Sequence, residues 1–111
     1  MIVTPAAEIV GHRIVETIGM VRGNTIRARH IGHDIMALLK NLVGGEIEEY
    51  TKMMAESREQ AIDRMVQEAG DLGANAITDV RFTTAYVMGN AAEILVFGNA
   101  VIIEPVAGGE A

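Results

Sequence analysis

The sequence contains no cysteine and no tryptophan, and it has only two tyrosines and two phenylalanines. Without thiols, the chain cannot form disulfides, hold an Fe–S cluster, build a thiolate zinc site or use a cysteine nucleophile. Basic residues are also scarce, with nine Lys and Arg against fifteen Asp and Glu and a formal net charge of -6. Nucleic acids bind clustered cations and stacking aromatic rings, so this composition disfavours a nucleic-acid partner.

Long apolar runs are missing as well. The most apolar stretch, Ile94–Ile103, is interrupted by Gly98-Asn99, whereas a membrane-spanning helix needs about 20 apolar residues. The first residues, Met1–Pro5, show neither the basic residues nor the apolar segment of a secretory signal. We therefore expect a soluble cytoplasmic protein without a membrane partner.

The residues that are present indicate one globular domain. The chain has 111 residues, of which 50% are apolar, which is too apolar for a disordered chain and too short for two domains. Residues 1–40 contain five basic and three acidic side chains, whereas residues 41–111 contain four basic and twelve acidic ones. We assign this acidic excess mainly to the solvated face of a helix in the second stretch.

The clearest predicted element is a long helix over Glu46–Leu72. Its apolar and small residues recur every three or four positions, at Tyr50, Met53, Met54, Ser57, Ala61, Met65, Ala69 and Leu72. Gly73 follows as the expected left-handed cap. A shorter amphipathic helix is predicted over Asp34–Val43, ended by Gly44-Gly45.

Three segments have the β-branched or alternating composition of strands. They are Arg13–Arg22, Asn75–Val87 and Glu93–Ile103, and the last two are predicted to form a hairpin. Arg22-Gly23-Asn24 is predicted to end the first strand as a turn. This order predicts an α+β fold of two layers, with one long helix packed on a small, mostly antiparallel sheet.

The last predicted strand is apolar on both faces. On one face lie Leu95, Phe97, Val101 and Ile103, and on the other lie Ile94, Val96, Ala100 and Ile102. A single long helix covers only one face, so the second must be covered by the short helix or by another copy of the chain. A three-stranded sheet makes a thin core at this length, and we therefore expect self-association with closed symmetry.

Several short motifs follow one another along the chain: Ile14-Val15-Glu16, Val21-Arg22-Gly23, Asp34-Ile35, Val43-Gly44-Gly45, Tyr50 and Leu72-Gly73-Ala74-Asn75-Ala76-Ile77. In this combination the sequence resembles the YbjQ-like family of small uncharacterised prokaryotic proteins. The resemblance covers about residues 9–103 of a single domain 1–111, with residues 105–111 as a flexible tail. It implies a dodecin-like β-α-β-β subunit, assembled as a pentameric ring or a stacked decamer, and it carries the family's heavy-metal-binding label.

The metal label directs attention to the histidines. His30 and His33 are three residues apart at the entry to the short helix, so both imidazoles can point the same way, with Asp34 adding a carboxylate. Without cysteine, such a site suits a divalent ion such as Zn, Ni or Cu. The structural alternative is that Asp34 caps the helix and that the histidines lie at an interface.

A second candidate site is the arginine-rich segment before the same helix. Arg22, Arg27 and Arg29 accompany a helix N-terminus, whose free N–H groups can bind a phosphate or a carboxylate. No Walker or dinucleotide fingerprint accompanies these residues. The alternative is that the arginines pair with the acidic helix of a neighbouring subunit.

No group of residues predicts catalysis. Ser57 is the only serine and lies within the long helix, and no nucleophile–base pair can be named. We therefore expect a non-enzymatic homo-oligomeric binding protein, with a divalent metal ion as the candidate ligand. Two alternatives stay open: a module that binds a small molecule or an anion between subunits, and a structural scaffold without a ligand.

Overall fold

The computed structural model describes residues 1–27, 44–88 and 91–106, and within these ranges all side chains except those of residues 27, 44–51, 86–88 and 91. In chain order the described elements are β1 (Ile2–Val3), β2 (His12–Arg27), α1 (Gly44–Asp71), β3 (Ala76–Met88) and β4 (Ala91–Pro105). The predicted short helix and most of the predicted tail lie outside the described residues.

The four described strands form one sheet in the order β1-β3-β4-β2. β4 pairs antiparallel with both β3 and β2, and the two-residue β1 pairs parallel with β3. The predicted hairpin and the mostly antiparallel sheet are therefore confirmed, and β1 is an addition that the sequence did not predict. With α1 packed on one face of this mixed sheet, the described fold is α+β.

β2 is longer than predicted, and the turn predicted at Arg22–Asn24 is wrong. These residues continue the strand and pair with Leu95–Phe97 of β4. The glycine is explained by packing: a Cβ atom at Gly23 would lie 2.5 Å from the backbone nitrogen of Met65 and 3.0 Å from Cβ of Arg64. A glycine inside a strand often marks such a close backbone approach.

α1 begins at Gly44, two residues before the predicted start at Glu46, so Gly44-Gly45 are its first residues. The predicted apolar stripe is confirmed at its centre, where fully buried side chains recur every four residues at Ser57, Ala61, Met65 and Ala69. Leu72 is an exception, because it follows the helix and is 51% exposed. Gly73 has φ +90°, and the N–H of Ala74 donates to the Ala69 carbonyl at 3.0 Å, which confirms the predicted cap.

The main core lies between α1 and the sheet. Its strand residues include Val21, Ile77, Val80, Ile94, Val96 and Ala100. The helix packs mainly on β2 and β4 and barely reaches β3. For this reason Phe82, which pairs with buried Val96 and lies on the helix side of β3, is 46% exposed.

The second face of the sheet is covered at one end by residues 4–11, between β1 and β2, which we call the N-terminal segment. The sequence did not predict this cover. Ile9 packs on a small cluster formed by Ala76, Val101 and Ile103. The segment is also tied to β3, because the N–H of Thr4 donates to the Ile77 carbonyl at 3.0 Å. The chain is flat and elongated, with extents of 59 × 25 × 17 Å and a radius of gyration of 17.9 Å, whereas a compact chain of this length has a radius of gyration of about 13 Å.

Candidate functional site

The sheet face opposite α1 is uncovered by any described residue toward the hairpin end, and we call this surface the open face. The side chain of Val21 and the Cβ position of Gly23 in β2 face α1. The alternate residues of the strand therefore face the other side of the sheet. Register then places the matching β4 residues on the same side. On β2 and β4 the open face consists of Met20, Arg22, Asn24, Ile26, Glu93, Leu95, Phe97 and Asn99. Arg81, Thr83 and Ala85 of β3 pair with the last strand on the same side and continue this face.

The open face is largely apolar. Met20 is 65% exposed and Ile26 is 58% exposed, and between them Leu95 and Phe97 are only half-buried. Four large apolar side chains thus line the part of β2 and β4 beyond the reach of the N-terminal segment. A contiguous exposed apolar surface of this kind is typical of a site where another molecule binds.

Asn24, Glu93 and Arg22 are polar side chains beside these apolar residues on β2 and β4. The side-chain amide of Asn24 donates to Oε2 of half-buried Glu93 at 2.9 Å, which leaves that carboxylate with a defined partner. Arg22 is exposed, and its guanidinium has no hydrogen-bond or ion-pair partner among the described residues. Arg22 is therefore the charged group of the open face that is available to a ligand or to a second subunit.

The outer edge of β2 is held by side chains of α1. The N–H of Arg22 donates to Oε1 of Glu68 at 2.8 Å, and Nη1 of Arg64 donates to the Asn24 carbonyl at 2.6 Å. The hydroxyl of buried Thr25 donates to the Ser57 carbonyl at 3.2 Å. These bonds fix the strand that presents the open face, and they give Ser57 a structural role in the helix–strand contact.

Of the predicted site residues, the described part of the chain includes only Arg22 and the backbone of Arg27. Arg22 lies on a strand and not in a loop, and Arg27 is the last residue of the same strand, with its side chain outside the described part. The remaining candidates all lie outside the described residues: Arg29, His30, His33 and Asp34. Within the described ranges, no three or more His, Asp or Glu side chains are placed to share a metal ion.

Two residues with defined structural roles were missed by the sequence reasoning. Asn75 pairs with the backbone of Ile103: its Nδ2 donates to the carbonyl at 3.0 Å, and its Oδ1 accepts from the N–H at 2.8 Å. This pairing explains the Asn of the Leu72–Ile77 motif as an anchor for the start of β3. The motif pointed to Asn75, although not to its role.

Asp79 is the other missed residue. It has φ +57°, which is unusual for a residue other than glycine, and it lies at a register shift in β3. Its Oδ2 accepts from the Thr78 hydroxyl at 3.0 Å and from the Asn99 amide at 3.1 Å. The alternating sequence around Asp79 gave no signal of this bulge.

The described part of the chain thus has an α+β fold, with one helix on a mixed sheet and one sheet face partly open. It belongs to the YbjQ family, whose profile, described as "Putative heavy-metal-binding", matches residues 1–104. The resemblance stated from the motifs is therefore confirmed. No helix in the described ranges has both the length and the apolar character needed to span a bilayer.

Similar proteins come from bacteria and archaea. A UPF0145 protein of Dehalococcoides mccartyi is 56% identical over 104 residues, which cover 94% of this chain and 100% of the relative. A UPF0145 protein of Pyrococcus horikoshii is 54% identical over 106 residues, which cover 96% and 91% of the two chains. A crystal structure from Pediococcus pentosaceus, of a DUF74-family protein of unknown function, superposes with a TM-score of 0.63 at 17% identity. The superposition covers 94% of this chain and 98% of that one, and it shows the fold alone.

Proposed function

We propose that this protein is a non-enzymatic, cytoplasmic, homo-oligomeric binding protein whose copies associate through the open face. The observation that carries the proposal is the group of four apolar side chains on that face, which no described residue covers. Removing such surface from water stabilises an assembly by about 25 cal/mol per Å². In a ring, the open face of each copy would contact a different surface of its neighbour.

The shape of the chain also supports the proposal that another copy of the chain covers the open face. A chain with a radius of gyration of 17.9 Å exposes more surface than a compact chain of its length, for which about 13 Å is usual. Association along the flat face removes part of that excess. The family resemblance suggests five copies in a ring, so we propose a pentamer, with a stacked decamer as the larger form.

Within this assembly we propose a divalent metal ion as the ligand. The support is the family's description and the sequence spacing of His30, His33 and Asp34, which offers imidazole and carboxylate ligands. The described part of one copy contains no group of three such ligands. Contributions from several copies would multiply a small ligand set into a full coordination shell.

Sedimentation equilibrium at micromolar concentration tests the assembly. We expect a mass near five or ten times the 11.9 kDa of one chain. A mass equal to a single chain would overturn the proposal that the open face binds another copy.

Calorimetric titration with Zn²⁺ and Ni²⁺ tests the ligand. We expect both metal ions to bind the parent protein and the control variant His12→Ala. The Nδ1 atom of His12 lies 3.1 Å from the Val10 carbonyl oxygen, and His12 is distant in sequence from the proposed ligands. We expect the double variant His30→Ala/His33→Ala to lose most of the heat of binding. Equal affinity in the double variant would remove these histidines from the proposal.

An anion held between subunits is a second candidate, favoured by the exposed guanidinium of Arg22 on the open face, which has no partner among the described residues. Arginine binds phosphate through paired hydrogen bonds. We expect phosphate to raise the thermal midpoint of the parent and of Arg58→Ala, an exposed control on α1. The rise should disappear in Arg22→Ala, and an undiminished rise in that variant rejects an anion site at this residue.

A further inference from the structure

The two outer edges of the sheet differ in how they are protected. At the β2 edge, α1 supplies partners for the Arg22 N–H and the Asn24 carbonyl. At the β3 edge, β1 and the residues after it cover only the beginning of the strand, where the N–H of Val80 donates to the Thr4 carbonyl at 3.1 Å. From Arg81 to Met88 no described residue pairs with this edge, and we call this segment the bare edge.

The bare edge has the composition of a strand that pairs well. Its sequence, Arg-Phe-Thr-Thr-Ala-Tyr-Val-Met, is rich in β-branched and aromatic residues and contains no proline or glycine. Arg81 is its only charged residue, and residues 81–85 are all exposed. Proteins usually protect an edge with charges, proline, bulges or a covering element, and here the register shift comes only at Tyr86/Met88, near the tip.

We propose that the bare edge pairs antiparallel with the bare edge of a second copy across a two-fold axis, which joins two four-stranded sheets into one. Unpaired N–H and C=O groups need another unpaired strand as partner. The β2 edge is a poor partner, because it is bonded to α1 near Arg22 and interrupted by register shifts between Ile14 and Gly19. The bare edge is therefore the best complement to itself, and an antiparallel pair has the required two-fold symmetry.

The proposed contact also explains the exposure of Phe82. This side chain lies on the helix side of β3, where α1 does not reach it. In the paired sheet, side chains of the second copy's β3 lie beside it and cover part of the ring. Because a two-fold contact cannot close a ring of five, edge pairing would join copies from two different rings, so it is separate from association through the open face.

The absence of cysteine from the chain allows a direct test. In a two-fold antiparallel pair one residue faces its own counterpart, with Cα atoms about 4.5–5.5 Å apart, within the range that a disulfide bridges. Single-cysteine variants at residues 82 to 86 are oxidised with glutathione disulfide, which takes up the two electrons. We expect a disulfide-linked dimer to peak at one position, Thr84→Cys or Ala85→Cys. Gln67→Cys on the exposed surface of α1 serves as the matched control and is expected to stay uncrosslinked.

Hydrogen exchange of the unmodified protein gives a second measurement. We expect alternate amides between Arg81 and Met88 to gain protection as the protein concentration rises. The proposal is overturned if no folded cysteine variant crosslinks above the Gln67→Cys control. It is also overturned if these amides are equally exposed, or equally protected, at every concentration. The crosslinking is repeated with the cysteine variants in the Met20→Glu protein, which carries a substitution on the open face. This experiment tests edge pairing independently of ring formation through the open face.

Discussion

At Gly23 the backbone of β2 lies directly against the backbone of α1, with no side chain between the two elements. The helix contributes to this approach with small buried side chains, Ser57 and Ala61, at four-residue spacing. Asn75 acts differently, since its side-chain amide takes the place of a backbone partner for Ile103. In each case one side chain, or its absence, decides how two elements meet.

Substitution of Gly23 by alanine is expected to destabilise the protein. The added Cβ would meet backbone atoms of α1, including the Met65 nitrogen at 2.5 Å, and backbone cannot move aside as a flexible side chain can. Overpacking of this kind costs about 1–3 kcal/mol. The thermal midpoint, measured at one fixed protein concentration, should fall.

The control is Gly70→Ala in α1, the helix that Gly23 packs against. An added Cβ at Gly70 has no neighbour within 4 Å. There the midpoint should rise, because alanine is favoured over glycine in a helix by about 1 kcal/mol. If both substitutions shift the midpoint in the same direction, the close contact at Gly23 is refuted.

Asn75→Ala is expected to lower the free energy of unfolding by about 1–3 kcal/mol, because two hydrogen bonds of about 0.5–1.5 kcal/mol each are lost. The Ile103 amide should also exchange faster, since Asn75 Oδ1 accepts its hydrogen at 2.8 Å. Urea unfolding and amide exchange measure the two effects. Gln67→Ala, on the exposed side of α1, should leave both unchanged, and an Asn75→Ala variant that matches this control contradicts the anchor role.

At the scale of elements, α1 both covers one face of the sheet and bonds the outer edge of β2. Arg64 and Glu68, one helical turn apart, reach the carbonyl of Asn24 and the N–H of Arg22. An edge strand with unpaired groups is prone to pair with other chains, so these two side chains limit where further strands can add. Within the described ranges, this leaves the β3 side as the edge without a partner from Arg81 onward.

The edge contact predicts a local effect of Glu68→Ala. Removing the carboxylate frees the Arg22 N–H, and we expect its exchange to accelerate about tenfold, which corresponds to about 1.4 kcal/mol for an exposed bond to a charged group. Glu68→Gln retains an acceptor oxygen and should exchange nearly as slowly as the parent. Glu59→Ala, exposed on the same helix, is the control, and equal exchange rates at Arg22 in Glu59→Ala and Glu68→Ala would show that Glu68 does not hold this edge.

The elements that were predicted correctly are those whose signal is local. The buried residues of α1 recur every four positions, and Gly73 ends the helix in the conformation that glycine favours. The error at Arg22–Asn24 has a tertiary cause, because Gly-Asn is typical of a turn and only the position of α1 shows that this glycine permits close packing. The cover provided by Ile9 depends on a contact between residues about 90 positions apart along the chain, which periodicity does not reveal.

The candidate sites were less predictable than the fold. Arg22 was assigned to an anion-binding loop on composition, but the register of β2 places it on the open face beside Phe97. The spacing of His30 and His33 indicates candidate metal ligands, but both residues lie outside the described part of the chain. The structure therefore leaves their arrangement as a prediction. The one feature of the site that the sequence did indicate was the apolar character of both faces of β4.

At the scale of the molecule, the described residues leave two kinds of surface uncovered: the open face and the bare edge. The first presents side chains and the second presents backbone groups, so they respond to different substitutions. The proposed association would stabilise the folded chain by mass action, so we expect the thermal midpoint to rise with protein concentration. The metal proposal belongs to the same scale, since its ligands would come from several copies.

Met20→Glu is expected to disrupt association through the open face while leaving the subunit folded. Met20 is 65% exposed in one copy, so the substitution should change the stability of the isolated chain by no more than about 0.5 kcal/mol. In the assembly the new carboxylate would be buried against apolar side chains, and an effective penalty of several kcal/mol is usual for such an ion. Since each 1.4 kcal/mol is a tenfold change in affinity, the dissociation constant should rise by at least about a hundredfold.

Val10→Glu is the matched control, because Val10 is 98% exposed and lies in the N-terminal segment, outside the open face. Sedimentation at micromolar concentration should give the parent mass for Val10→Glu and a smaller mass for Met20→Glu, with unchanged circular dichroism in both. A Met20→Glu protein that sediments with the parent mass would mean that the open face remains outside the subunit contacts. Its four apolar side chains would then have to be covered by another part of the same chain or by a different partner.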